Sequence, residues 1–131
     1  MAKVLIVEDN PANMTLANFL LESVGHTVLK ATDAELGLAL AAAEQPDLIL
    51  MDIQLPGMDG LQATAILKDD AATRDIPVIA LTALAMKGDE ARIRAAGCDG
   101  YIAKPLAYKE FLATIASELA KRPQAGTPTQ A

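Results

Sequence analysis

The sequence predicts an α/β fold, a doubly wound sandwich with helices on both faces of a five-stranded parallel sheet, and three observations predict it. Short apolar runs with little polar alternation recur at Val4-Leu5-Ile6-Val7, Leu48-Ile49-Leu50-Met51, Val78-Ile79-Ala80-Leu81 and Tyr101-Ile102-Ala103, as suits strands buried on both faces. Strand-like and helix-like segments alternate five times without a long interruption, which selects α/β over α+β. A chain of 131 residues that is 52% hydrophobic can bury one core and needs no second domain.

The elements follow in order. After the first run, Asn10 can cap a helix, Pro11 suits its first position, and Met14, Ala17, Leu20, Leu21 and Val24 share one apolar face before Gly25 closes it. His26 to Ala31 is a weaker strand, its polar residues mixed with Val28 and Leu29 as at a sheet edge. Helices are expected from about Asp33 to Glu44, Met58 to Asp70 and Ala85 to Ala96, after strands two, three and four. The last helix, Ala107 to Arg122, carries Tyr108, Phe111, Leu112, Ile115 and Leu119 on the side that packs on the sheet. From Pro123 to Ala131 no apolar residue larger than alanine remains, so residues 1–122 are expected to form the domain and 123–131 a flexible tail. No internal repeat or heptad seam suggests a solenoid or coiled coil.

Charge and composition remove several classes of function. A net charge of −6 argues against a surface built for nucleic acid or anionic membrane. The first apolar run is far shorter than the roughly 20 residues that span a bilayer, so a soluble cytoplasmic protein is expected. Cys98 is the only cysteine, which forbids an intrachain disulfide or thiolate cluster and suits a small buried side chain. His26, the only histidine, opens a strand and is expected to be a surface residue, not a phosphotransfer site.

Glu8-Asp9, Asp52, Thr82 and Lys104 each fall where an apolar run ends. In open α/β sheets that rim, beside a switch in strand order, is where ligands bind. Right-handed crossovers and a polar second strand favour an order with strands one and three adjacent, which gathers Glu8, Asp9 and Asp52. Any one of them alone reads as a helix-capping carboxylate. Three together repel, and at least one pKa rises unless a cation neutralises them. Without His or Cys ligands the cluster suits Mg2+ better than zinc. Lys104 supplies a cation and Thr82 a hydroxyl donor, a pair able to sense a new anion. Pro105 permits a cis bond that would fix where Lys104 points.

Val4-Leu5-Ile6-Val7-Glu8-Asp9-Asn10, Met51-Asp52-Ile53-Gln54-Leu55-Pro56-Gly57-Met58-Asp59-Gly60, Thr82-Ala83 and Lys104-Pro105 together resemble a response-regulator receiver domain, over about residues 3 to 120. The resemblance implies a flavodoxin-like (βα)5 sandwich with strand order 2-1-3-4-5. It implies that Asp52 is the phosphoacceptor, attacking a phosphohistidine on a histidine kinase or a His-containing phosphotransfer protein. Asp9 and Asp52 would then bind Mg2+ directly with the backbone carbonyl of Gln54, and Glu8 through water. Lys104 would pair with Asp52 or its phosphoryl oxygens, Thr82 would swing to bond one of them, and small Ala83 would leave room. Tyr101 would turn inward with Thr82 and remodel the face of helix 4, strand 5 and helix 5 for a downstream protein target. Gln54 and Leu84 occupy positions that tune dephosphorylation in the family.

The resemblance thus implies a phosphoacceptor signalling protein of a two-component system or phosphorelay, not an enzyme beyond slow autophosphorylation and autodephosphorylation. It would be a monomer or weak dimer, acting by protein contact and not on DNA. Three alternatives stand beside it: a receiver excised from a hybrid histidine kinase, a phosphate-independent receiver-like module, and a phosphatase of the haloacid dehalogenase type. The phosphatase needs a second acid two residues after its aspartate, where this chain has Gln54.

Overall fold

A computed structural model of the protein describes residues 2–83, 87–104 and 106–121. Five strands and five helices alternate: β1 (Lys3–Val7), α1 (Pro11–Ser23), β2 (Thr27–Ala31), α2 (Ala34–Glu44), β3 (Leu48–Asp52), α3 (Gly60–Asp69), β4 (Val78–Thr82), α4 (Lys87–Ala95), β5 (Gly100–Ala103) and α5 (Tyr108–Lys121). All strand pairs are parallel, in the order β2-β1-β3-β4-β5, as the sequence predicts. The expectations for Leu84, for a helix start at Ala85, for the Pro105 peptide and for the tail 123–131 lie outside the described residues.

Alternate side chains of the buried strands feed two apolar layers. Leu5, Val7, Ile49, Met51, Val78 and Ala80 meet Ala34 and Ala41 of α2, Ala63 and Leu67 of α3 and Ile93 of α4. Val4, Ile6, Leu48, Leu50, Ile79 and Leu81 meet Ala17, Leu20 and Leu21 of α1 and Phe111 and Ile115 of α5. That division makes the sheet doubly wound, and it explains why the central runs lack polar alternation. β2 has two exposed positions, Thr27 and Lys30, while Val28 and Leu29 are partly buried, consistent with its place at an edge.

Local hydrogen bonding moves several expected boundaries. α3 begins at Gly60, not Met58, because Asp59 stays extended (φ −79°, ψ 167°) and its carboxylate accepts from Gln62 N. The Gln62 side chain accepts in return from Asp59 N, completing a capping box. α2 likewise begins after its cap, Asp33, which accepts from Leu36 N at 2.8 Å. β2 starts at Thr27, not His26, because His26 N–H is taken by Leu21 O at the end of α1, 3.1 Å away. α5 starts at Tyr108 because Ala107 contributes the carbonyl that accepts from Phe111 N. α1 is capped by Asn10 with Pro11 at its start, as expected.

Register then aligns one rim. Val7 lies opposite Ala31 on one side and Met51 on the other. Asp52 pairs with Leu81, and Thr82 with Ala103. Strand order reverses between β1 and β3, since β2 lies on one side of β1 and every later strand on the other. The crevice at this switch lies where Glu8, Asp9 and Asp52 emerge.

Candidate phosphoryl-acceptor and metal site

Asp52 is the last residue of β3 and only 3% exposed. Its two oxygens have different partners: Oδ1 accepts from Gln54 N at 2.9 Å, and Oδ2 from Lys104 Nζ at 3.2 Å. Lys104 follows β5, its backbone N–H held by Thr82 O at 2.8 Å. From there its side chain crosses the ends of β4 and β3 to reach Glu8, with Nζ 2.9 Å from Oε1.

Glu8 is equally deep, 1% exposed. Its backbone N–H is fixed by Ala31 O, and its Oε2 accepts from Asn10 N at 3.1 Å. Oε1 makes the ion pair with Lys104 but no aligned hydrogen bond. Asp9 is exposed on the rim. Oxygen atoms of Glu8, Asp9 and Asp52 lie within 4.8 Å of one another.

This arrangement fits Mg2+. The donors are all hard oxygens, one buried oxygen lacks a directed hydrogen-bond donor, and among the described residues the Lys104 ammonium pairs with two of the three acids, Glu8 and Asp52. Burial, followed by a hydrogen bond shared with Asp52, pushes the Glu8 carboxyl above its usual range, although Lys104 and Asn10 N–H act the other way. For Lys104, burial is the largest influence and acts downward. The close contact with Glu8 and the charges of Asp52 and Glu8 together outweigh it, so the ammonium is held above its ordinary value.

The shift at Glu8 has a definite sign for stability. A carboxyl that titrates higher when folded binds more protons in the native than in the unfolded state near and above 4.5, its ordinary value. Its contribution is fully present below 4.5 and is lost as pH rises through the raised folded value. Glu8→Gln is therefore expected to flatten this part of the stability profile and to raise metal-free stability at neutral pH. Urea unfolding of both proteins across that window checks the sign.

The remaining predicted residues fall around the same crevice. Thr82 is 1% exposed at the end of β4, with exposed Ala83 beside it. The Gln54 side chain is exposed while its N–H grips Asp52. Tyr101 on the edge strand β5 is partly buried and packs against the layer that holds Ala80, Ile93 and Cys98. Cys98 is buried as expected, its Sγ 3.8 Å from Thr64 Oγ1. His26 is half-buried, not fully superficial: its Nδ1 accepts from Ala2 N at 3.3 Å, away from the crevice.

Sequence reasoning gave Gly60 no role. Yet a Cβ on Gly60 would overlap the Asp52 carbonyl oxygen and lie 2.8 Å from both its carbonyl carbon and Ile53 Cα. The available signal was the Asp59-x-x-Gln62 capping pattern, which sets the start of α3 at Gly60 but does not itself call for a glycine there.

The chain belongs to the response regulator receiver domain family, whose model matches residues 4–116, and so to two-component signalling. It is 53% identical over 116 residues to the polar-differentiation response regulator DivK of Brucella anthropi, covering 88% of this chain and 94% of that one. Among solved structures it is similar to the receiver domain of the sensor histidine kinase PA1611 from Pseudomonas aeruginosa, with a TM-score of 0.85 and 35% identity over 91% of this chain and 98% of that one. That structure has a magnesium ion coordinated in its active-site cleft. A CheY-like receiver domain protein from Methanospirillum hungatei matches at TM-score 0.86 and 30% identity, covering 93% and 96% of the two chains. No described helix is long and apolar enough to cross a membrane.

Proposed function

We propose that this chain acts as a response-regulator receiver that accepts a phosphoryl group on Asp52 from a histidine kinase or a His-containing phosphotransfer protein. The observation that carries the proposal is the Asp52 carboxylate, held by Gln54 N–H and Lys104 beside two further acids at the strand-order switch. In the transfer an Asp52 oxygen forms a bond to phosphorus as the phosphorus–nitrogen bond breaks. The electron pair leaves on the imidazole, which takes up a proton from solvent. Glu8, Asp9, Asp52 and the Gln54 carbonyl would hold Mg2+, which neutralises charge as phosphoryl oxygens approach.

The protein's own groups supply positioning and countercharge. Lys104 faces Asp52 and can follow its new phosphoryl oxygens. Thr82 offers a hydroxyl donor, and the small side chain of Ala83 leaves space for the group. A shift of Thr82 toward the phosphoryl group would vacate volume for Tyr101, already half-buried against the α4 side of the sheet. The face of α4, β5 and α5 then changes its affinity for a downstream protein. In this reading residues 1–122 are the receiver unit, 123–131 a tail, and the site of action is the cytoplasm.

Incubation with acetyl phosphate followed by intact-protein mass measurement tests the chemistry. A single phosphoryl adduct is expected with Mg2+, and none after chelation with EDTA. A folded protein with no adduct under any condition would instead favour a phosphate-independent module.

A further inference from the structure

We infer that Gly60 is a positioning residue for phosphoryl acceptance: its missing side chain is the seat on which the β3–α3 loop closes to hold Asp52. This inference rests on the proposed role of Asp52. The loop from Ile53 to Asp59 connects the last residue of β3 to the first turn of α3. Its start is tied to the neighbouring strand by Ile53 N donating to Leu81 O at 3.2 Å. Its first half is anchored by Ile53 and Leu55, each 7% exposed in the apolar layer. Its end returns onto its beginning, Gly60 N donating to Ile53 O at 3.4 Å.

The closure is tight because α3 is itself fixed. The capping box holds its first turn, and buried Thr64 donates its hydroxyl to Gly60 O at 2.8 Å. A fixed helix start is thus pressed on the Asp52 carbonyl, and a methyl at position 60 would lie inside contact distance of β3 backbone atoms that cannot give way. By contrast, a Cβ on Gly57 in the same loop would meet open space, so the crowding is particular to Gly60.

What the seat controls is the Asp52 side chain. Gln54 N–H, two residues into the loop, holds Oδ1 and leaves Oδ2 to Lys104. The Gln54 carbonyl belongs to the same stretch of backbone. Displacing the loop to admit a methyl moves both groups relative to the carboxylate. A misplacement of about 1 Å can cost about 100-fold in rate, and that loss is expected for Gly60→Ala.

Two measurements on the full chain test this. The first is hydrogen exchange of the Gln54 amide in metal-free protein, which reports loop closure independently of any phosphoryl chemistry. The second is the rate of labelling by acetyl phosphate at saturating Mg2+, corrected for the folded fraction. Ile115→Val, a buried substitution in the opposite apolar layer, serves as the destabilised comparison. Gly60→Ala is expected to speed Gln54 exchange at least tenfold beyond the Ile115→Val effect and to slow labelling about 100-fold.

Gln54 exchange and labelling that both track the folded fraction, as in Ile115→Val, would reduce Gly60 to a structural role and overturn the inference. Should Gly60→Ala not fold, Asp59→Ala loosens the same helix start without adding an atom to the seat. Faster Gln54 exchange with slower labelling there supports the seat; no change in either overturns it. If wild-type protein is not labelled at all, the proposed function fails, while the exchange arm still decides whether Gly60 closes the loop.

Discussion

Asp52→Asn is expected to abolish the phosphoryl adduct, leaving labelling by acetyl phosphate and Mg2+ at background while the wild-type chain is modified. Asparagine keeps the shape of the side chain and can still accept from Gln54 N–H, so the turn after β3 survives. It cannot form the acyl phosphate, because its carbonyl oxygen is a weak nucleophile and the amide nitrogen's lone pair is delocalised. Glu8 is poorly placed to substitute: it is 1% exposed, with Oε2 held by Asn10 N–H and Oε1 against Lys104. Intact mass gives the extent of labelling, and circular dichroism establishes that the variant is folded. Wild-type labelling of folded Asp52→Asn would remove Asp52 from the chemistry and move the acceptor to another carboxylate.

The sequence carried the architecture well because its central strands are buried on both faces and therefore read as uninterrupted apolar runs. Parallel pairing and the polarity of β2 were enough to place β1 beside β3. Boundaries were less legible because they depend on competition between individual hydrogen bonds. Met58 has ample propensity for a helix, yet the Asp59 carboxylate captures the Gln62 N–H and starts α3 later. His26 looks like the opening of a strand, yet its N–H finishes α1.

The crevice shows the same division. Which residue types meet at the rim follows from strand order alone. Partner choice within the rim does not, because it depends on distances set by the whole sheet. Lys104 was expected to pair with Asp52, and it also lies 2.9 Å from Glu8, on the far side of β3. Only a side chain that crosses the ends of β4 and β3 makes that contact. The Gly60 seat was hidden for a related reason: its effect comes from an atom the sequence lacks, against a backbone carbonyl brought near by a loop of seven residues, 53–59.

The double contact of Lys104 gives its removal the second large effect. Lys104→Met keeps the length and much of the apolar stem but leaves Glu8 and Asp52 buried without their cation. Breaking a buried pair in this way costs about 3–5 kcal/mol. Because burial raises the Glu8 carboxyl above its usual range, it takes up a proton more readily than an ordinary carboxylate, which places the expected loss at the lower end of that range, about 3 kcal/mol, in metal-free protein at neutral pH. Acidification should recover most of it, since a carboxyl raised in the folded state stabilises below its unfolded value and loses that contribution as pH rises. Mg2+ should recover stability too, by about 2.7 kcal/mol at a concentration 100 times its dissociation constant. At the alkaline end the wild-type chain should lose stability as pH rises through the raised Lys104 value above 10.5, and the variant should lack that loss. Labelling of Asp52 is expected to slow by about 100-fold, the scale of losing one charged donor to a developing anion. Urea unfolding at neutral and acidic pH, with and without Mg2+, separates these contributions. Unchanged metal-free stability at neutral pH would mean that water already neutralises the two carboxylates and that Lys104 is not their countercharge.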